Sequence, residues 1–399
     1  MSRINDLIKE LCPNGVEYKT LDKLVSISTG KLNANAMEED GQYAFFTCDA
    51  KPFRINTYAF DGEAILISGN GSQVGHLNYY VGKFNAYQRT YVLMDFIDDI
   101  VCKYLFHYLN AYLKKYIDLN SKKGSVPYIT LPMLTTFKVA IPPIEVQEEI
   151  VQILDKFGEL EAELEAELEA RRSQYEFWRG KLLNSNYDEM TLNDLCLKIS
   201  NINWSKENFE YQYIDLSSVN RDNNTIEATT TIGSSNAPSR ARQVVRENDV
   251  LFGTTRPMLK RITLVPKEYD NQICSTGYCV LRPNQEKILP EWLYYNLQTN
   301  RYYDYVESFQ QGASYPSISD SAVKNYTIPV PSLDVQRKII EVLDKFDKLV
   351  NDISIGLPAE IEARRKQYDY YRNKLLSFEE LCNEWFIRWK TSLWFKRCY

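Results

Sequence analysis

From residue 146 to 182, apolar or aromatic side chains fall at 146, 150, 153, 157, 160, 164, 168, 175, 178 and 182, with Arg171 at the one missing step. Steps of three and four are the seam of a coiled coil. They predict a helix over 146–184, roughly 58 Å long at about 1.5 Å per residue. The rhythm returns at 335, 339, 342, 346, 349, 353, 357, 361, 368, 371 and 375. Gly356 and Pro358 interrupt this second run, so a kinked or split helix is expected there. Pro142 and Pro331 stand just ahead of the two helices, where proline is tolerated. Elsewhere the pattern is shorter. Residues 63–68 (EAILIS) and 249–253 (DVLFG) read as strands ending in glycine-rich turns, and 104–116 and 292–305 as aromatic-rich helices.

These elements occur twice. VAIPPIEVQEEIVQILDKF (139–157) and IPVPSLDVQRKIIEVLDKF (328–346) align at an offset of 189, and ARRSQYEFWRGKLL (170–183) and ARRKQYDYYRNKLL (363–376) at 193. The four residues gained by the second copy add a seam position, Ile361. Gly124 to Pro127 answers Gly312 to Pro316, Thr20-Leu21 answers Thr191-Leu192, and Glu10-Leu11-Cys12 answers Glu380-Leu381-Cys382. The chain is a tandem duplication of about 190 residues, each unit a globular block followed by a long helix. The expected class is α+β. Its parts are an N-terminal segment (1–16), a first mixed α/β block (17–143), a first helix (144–187), a second block (188–332), a second helix (333–378) and an aromatic tail (379–399). That tail holds Trp385, Trp389 and Trp394 and has no evident role.

Charge changes the picture only once it is divided. The total is −6, and 141–187 alone carries 5 basic and 11 acidic residues. Much of that acidity is three tandem copies of Glu-Leu-Glu-Ala (159–170), read either as a solvated helix face or as a length-setting element adding about 6 Å per copy. Six glutamates there repel phosphate, whereas the two blocks are close to neutral and remain able to meet a polyanion. Eight cysteines without a Cys-x-x-Cys pair read as reduced thiols. No apolar run long enough for a membrane span and no signal-peptide core occur, so a cytoplasmic location is expected.

Chemistry-bearing motifs are scarce. Gly69-Asn-Gly-Ser-Gln-Val-Gly75 misses the dinucleotide spacing, and no phosphate-binding Gly-Lys-Ser/Thr loop or Asn/Asp-Pro-Pro-Tyr motif occurs. His76 and His107, the only histidines, read as structural or surface residues. No metal site and no catalytic group is assigned. Polar, basic and aromatic residues do interleave in the expected loops. Candidate DNA contacts are Lys31, Asn33, Asn70, Ser72, Gln73, Lys122, Lys123 and Tyr128 in the first block. In the second they are Asn201, Trp204, Arg240, Arg242, Arg256, Lys260, Arg261, Gln311 and Tyr315. Arg and Lys suit phosphate and guanine, and Asn and Gln suit adenine. The window 240–261, with six basic and two acidic residues, is the densest.

Over nearly its whole length the chain resembles the specificity subunits of type I restriction-modification systems. The resemblance rests on LCPNGVEY (11–18), the Pro-x-Leu-x-x-Gln style block ends, and EARRKQYDYYRNKLL (362–376) with its twin. It implies two target-recognition domains in pseudo-twofold arrangement, joined by two long antiparallel coiled-coil helices, reading a bipartite asymmetric site in double-stranded DNA. It also implies docking of two methyltransferase (M) and two restriction (R) subunits. The M subunits would use S-adenosylmethionine to methylate adenine N6, and the R subunits ATP and Mg2+, with no cofactor in this chain. Residues assigned to the helix seam and M-subunit docking are Leu154, Phe157, Leu160, Leu164, Leu168, Tyr175 and Trp178. Their counterparts are Leu343, Phe346, Leu349, Ile361, Tyr368 and Tyr371. The alternative is an orphan DNA-binding scaffold without a methyltransferase; a self-sufficient nuclease is a more distant one.

Overall fold

The computed structural model describes residues 2–120, 128–184, 186–352 and 355–381. Lys122, Lys123 and the tail from 382 onward lie outside them. Two compact units divide the chain, one of residues 1–162 and 363–399, the other of 163–362. The division cuts both long helices instead of setting them apart as a separate scaffold. Each unit is thus a globular block with a piece of each helix.

In the first unit six strands form one sheet in the order Ser26–Thr29, Thr90–Met94, Phe60–Ser68, Leu77–Ala86, Tyr43–Phe46, Phe53–Ile55. All neighbours are antiparallel except Tyr43–Phe46 beside Leu77–Ala86. The expected strand at 63–68 forms the buried half of Phe60–Ser68, where Ala64, Ile65, Leu66 and Ile67 are inaccessible to solvent or nearly so. β-branched and large aliphatic residues on both faces suit a central strand. The second unit carries two four-stranded sheets. One runs Cys196–Leu197, Tyr278–Pro283, Val250–Gly253, Ile262–Leu264, and the other Thr230–Ile232, Tyr211–Ile214, Ile273–Ser275, Ala241–Val244. It repeats the single parallel pairing, between Tyr211–Ile214 and Ile273–Ser275.

Each block is tied shut by pairing its entry strand with its exit strand. Glu17–Thr20 pairs with Lys138–Ile141, and Glu189–Thr191 with Thr327–Pro329. The exit strand leads through a proline pair, or Pro331-Ser332, into a long helix, and a buried glutamine locks the junction. Gln147 donates to the carbonyls of Asp99 and Pro142 and accepts from the Val101 N–H. Gln336 donates to Lys287 and Pro331 and accepts from Leu289. The duplication thus extends to individual hydrogen bonds. Tyr104 and Trp292, both fully buried, donate from equivalent helices to the carbonyls of Ala140 and Pro329.

The first long helix is continuous over Ile144–Leu183, 40 residues. The second is split, as Leu333–Asn351 and Leu357–Leu375. At the break a Cβ on Gly356 would stand 2.5 Å from the Lys348 carbonyl oxygen and 2.7 Å from that of Asp352, which accounts for the glycine. The expected helix at 104–116 is Cys102–Asn120. The one expected at 292–305 is two, Pro290–Asn296 and Asn300–Phe309, because the Thr299 hydroxyl accepts from the Tyr302 N–H and starts a new helix.

Leu154 and Leu343 are completely buried, in clusters that join block residues such as Leu105 and Leu109, or Trp292 and Leu293, to the other long helix through Leu375 and Leu376, or Tyr175 and Leu183. Being inaccessible, neither can itself be a docking surface. Further contacts link the helices. In the first unit Phe157 lies against Tyr371 at 5.6 Å and Tyr368 at 6.2 Å, and Glu161 pairs with Arg365, an antiparallel progression. In the second, Tyr175 stacks on Phe346 at 6.2 Å and donates to Asp347. Ile361 is buried, whereas Leu160, Trp178 and Leu349 are exposed and Leu164 and Leu168 half-buried.

Asp155 and Asp344 face the blocks at equivalent places. Asp155 accepts from Lys103 and binds His107, and Asp344 accepts from Tyr295, the counterpart of His107. Burial outweighs the carboxylate and lowers the His107 pKa, so this histidine is neutral near pH 7. Burial alone would raise Asp155, but its bonds from Lys103 and His107 hold it below the ordinary aspartate value. His107 is thus bonded within its unit, and His76 contacts the Ala50 carbonyl. No helix among the described residues is long and apolar enough to cross a membrane.

Candidate nucleic-acid interface

The strand Phe60–Ser68 ends in a turn over 69–75, and Val250–Gly253 ends in one over 254–260. Backbone hydrogen bonds put the two turns in register. Gly69 donates to Arg89 and accepts from Ile129, as Thr254 donates to Gly277 and accepts from Ile318. Ser68 donates to the His76 carbonyl as Gly253 donates to that of Arg261. Asn70 bridges to Tyr128 as Thr255 bridges to Ser317. Within the turns the offset is 185 and their length is equal, while the partners outside them are offset by 188 or 189.

Both turns bend through two left-handed corners. In the first block these are Gly71 (φ 86°) and Gly75 (φ 82°), where glycine has no steric penalty. In the second they are Arg256 (φ 48°) and Lys260 (φ 55°), each bearing a strain of about 1–3 kcal/mol. The Arg256 guanidinium lies 4.3 Å from the centre of the Tyr315 ring, and the Lys260 ammonium 4.7 Å from that of Tyr303. The chain around Tyr315 is fixed by reciprocal backbone bonds between Gln311 and Ser317 and by the Arg256 N–H donating to Pro316. Arg256, Lys260, Gln311 and Tyr315 are all exposed. Arg261 Nε and Gln310 Oε1 are buried without a partner among the described residues, so polar capacity remains at this end of the block.

The structure therefore brings together Asn70, Ser72, Gln73 and Tyr128 in one block, and Arg256, Lys260, Gln311 and Tyr315 in the other. The remaining candidates lie on other segments. Lys31 and Asn33 are exposed and flank Leu32, which pairs with Tyr87 and Gln88, next to the Arg89 carbonyl that accepts from Gly69. Arg240 and Arg242 flank the start of Ala241–Val244, and the Arg242 Nε is already bonded to the Ser239 carbonyl. Trp204 donates its indole N–H to Ala241 and meets Tyr211 edge to face, so it packs half-buried against the block. Asn201 bridges by its backbone to Gln243. Sequence reasoning passes over Met258 and Ser317. Only the register of the two turns, unmarked by any shared residues, could have found them. The described residues hold no cluster of His, Cys, Asp and Glu suited to a metal ion.

The two blocks thus present a turn of one register filled by unlike side chains. A model of the type I restriction modification DNA specificity domain matches residues 13–170 and again 184–363, and the chain belongs to this family. It is 28% identical over 373 residues to the EcoDI specificity subunit of Escherichia coli, covering 83% of this chain and 81% of that one. With the EcoR124I/EcoR124II specificity subunit of the same species the identity is 29%, over 69% and 70% of the two chains. The crystal structure of the type I S subunit from M. genitalium has the same fold, at a TM-score of 0.55 and 18% identity over 91% of this chain and 96% of that one. Such subunits confer DNA sequence specificity and are not catalytic; the activity is that of the complex.

Proposed function

We propose that each block reads one half of an interrupted, asymmetric DNA site through its strand-end turn, 69–75 or 254–260, and that the two long helices set the distance between the halves. The observation that carries this reading is the common register of 69–76 and 254–261, one scaffold with two different sets of side chains. Equal scaffolds give equal approach to a duplex, and unlike side chains give unlike half-sites. The helices pair as an antiparallel coiled coil. Their exposed aromatic residues, among them Trp178, Phe177 and Tyr370, are the surface on which two M subunits dock, with two R subunits completing the assembly. S-adenosylmethionine would be held by M, and ATP and Mg2+ by R. The test is an exchange of 188–332 for the corresponding block of a family member of different specificity. Methylome sequencing should then show one half-site replaced and the other retained. Two altered half-sites, or none, would refute the assignment of one block to one half.

A further inference from the structure

We infer that Arg256 reads a guanine, making it a specificity-determining residue of the second block; this rests on the DNA-reading role proposed for that block. At equivalent left-handed corners the first copy has Gly71 and the second Arg256, so the fold demands no side chain here. A Cβ on Gly71 would meet open space, so the turn has room for a side chain but imposes a left-handed backbone that strains one. An arginine kept in this disfavoured region, where glycine would serve the fold, points to a role for its head group.

That head group is prepared for recognition. Tyr315, 70% exposed, supports one face of the guanidinium at 4.3 Å, and Gln311, Ser317 and Pro316 fix the segment that carries the ring. Among the described residues no hydrogen bond or ion pair engages the guanidinium, so its planar edge of N–H donors is free. A guanidinium whose face is covered and whose edge is free offers two parallel donors in a fixed plane. Guanine presents the matching pair of acceptors, N7 and O6, in the major groove, whereas adenine puts a donor in place of O6. A phosphate contact would support binding alike on all sequences, whereas a guanine contact is confined to one base pair.

The experiment uses the full chain assembled with its methyltransferase subunits and a randomised duplex library, comparing wild type with Arg256→Gly and Arg256→Lys. Arg256→Gly installs the residue the sister turn already has, so folding is preserved. Wild type should select a G·C pair at one position of the second half-site, and Arg256→Gly should lose roughly tenfold to hundredfold of that discrimination there alone, Arg256→Lys less. Arg256→Lys should keep the salt dependence of wild type. Three results would overturn the inference: unchanged stringency in Arg256→Gly, an A·T pair at the affected position, or a uniform loss across all sequences. If wild type selects no second half-site at all, the DNA-reading role of this block fails too, which sets that failure apart from an error about Arg256 alone.

Discussion

Gln147 and Gln336 have no solvent exposure, and each makes three hydrogen bonds to main-chain groups at the junction of block and helix. Replacing either by leucine fills a similar volume but strands buried donors and acceptors. Each such group costs about 1–3 kcal/mol, and some relax, so Gln147→Leu or Gln336→Leu should destabilise its unit by about 2–4 kcal/mol in urea denaturation. A change below about 0.5 kcal/mol in both would mean that the clamp contributes nothing. The pair is visible in the sequence as a match within the repeat, but its role is not, since Gln147 bonds Asp99 across 48 residues. Arg256 and Lys260 show the reverse. Their basic character is legible, whereas their left-handed conformation depends on a turn whose sister shares none of their residues. Trp204 shows a related limit: composition marks an aromatic near basic residues, and only packing tells that its N–H is bonded to Ala241 while the ring stays half-buried.

The helices show what periodicity resolves and what it does not. Steps of three and four locate Ile144–Leu183 to within a few residues, and Gly356 with Pro358 locates the break. The same steps place Ile153 and Val342 on the seam, yet Leu154 and Leu343 are the fully buried residues, with Val342 42% exposed. Each helix has one apolar face for its block and another for its partner helix, and a single period cannot apportion residues between them. The segment 159–170 is free of that conflict. Leu160 is exposed, Leu164 and Leu168 are half-buried, and Glu161 pairs with Arg365. Deleting one Glu-Leu-Glu-Ala copy removes about 6 Å of helix and rotates the downstream part by only about 40°, because four residues are close to one turn. With base pairs about 3.4 Å apart, the preferred spacer should shorten by one or two pairs while both half-sites persist. Methylome sequencing reads both quantities, and a changed half-site or an unchanged spacer would dismiss the length-setting role.

At the scale of the molecule the charge poses the remaining problem. A protein that holds a duplex neutralises phosphates, yet this chain carries a net −6, and 141–187 alone holds 11 acidic against 5 basic residues. The reading turns themselves supply few cations, the first block's having Asn70, Ser72 and Gln73 where the second has Arg256 and Lys260. Base contacts specify, but most of the affinity of a DNA complex comes from counterion release at phosphates. The isolated chain should therefore bind its own site scarcely better than non-specific DNA, at roughly micromolar strength or weaker in physiological salt, because its Coulombic attraction is small. Assembly with methyltransferase subunits should then tighten binding by orders of magnitude and steepen the fall of affinity with salt, as partner cations engage the backbone on both sides of the bases this chain reads. Fluorescence anisotropy of one labelled duplex, titrated with the chain alone and with the assembly at about 50 to 200 mM salt, measures both; the number of phosphates engaged comes from a slope of about −0.9 per contact. Nanomolar binding by the chain alone, with a slope as steep as that of the assembly, would show that its own surface grips the backbone and that the acidic helix is no obstacle to DNA.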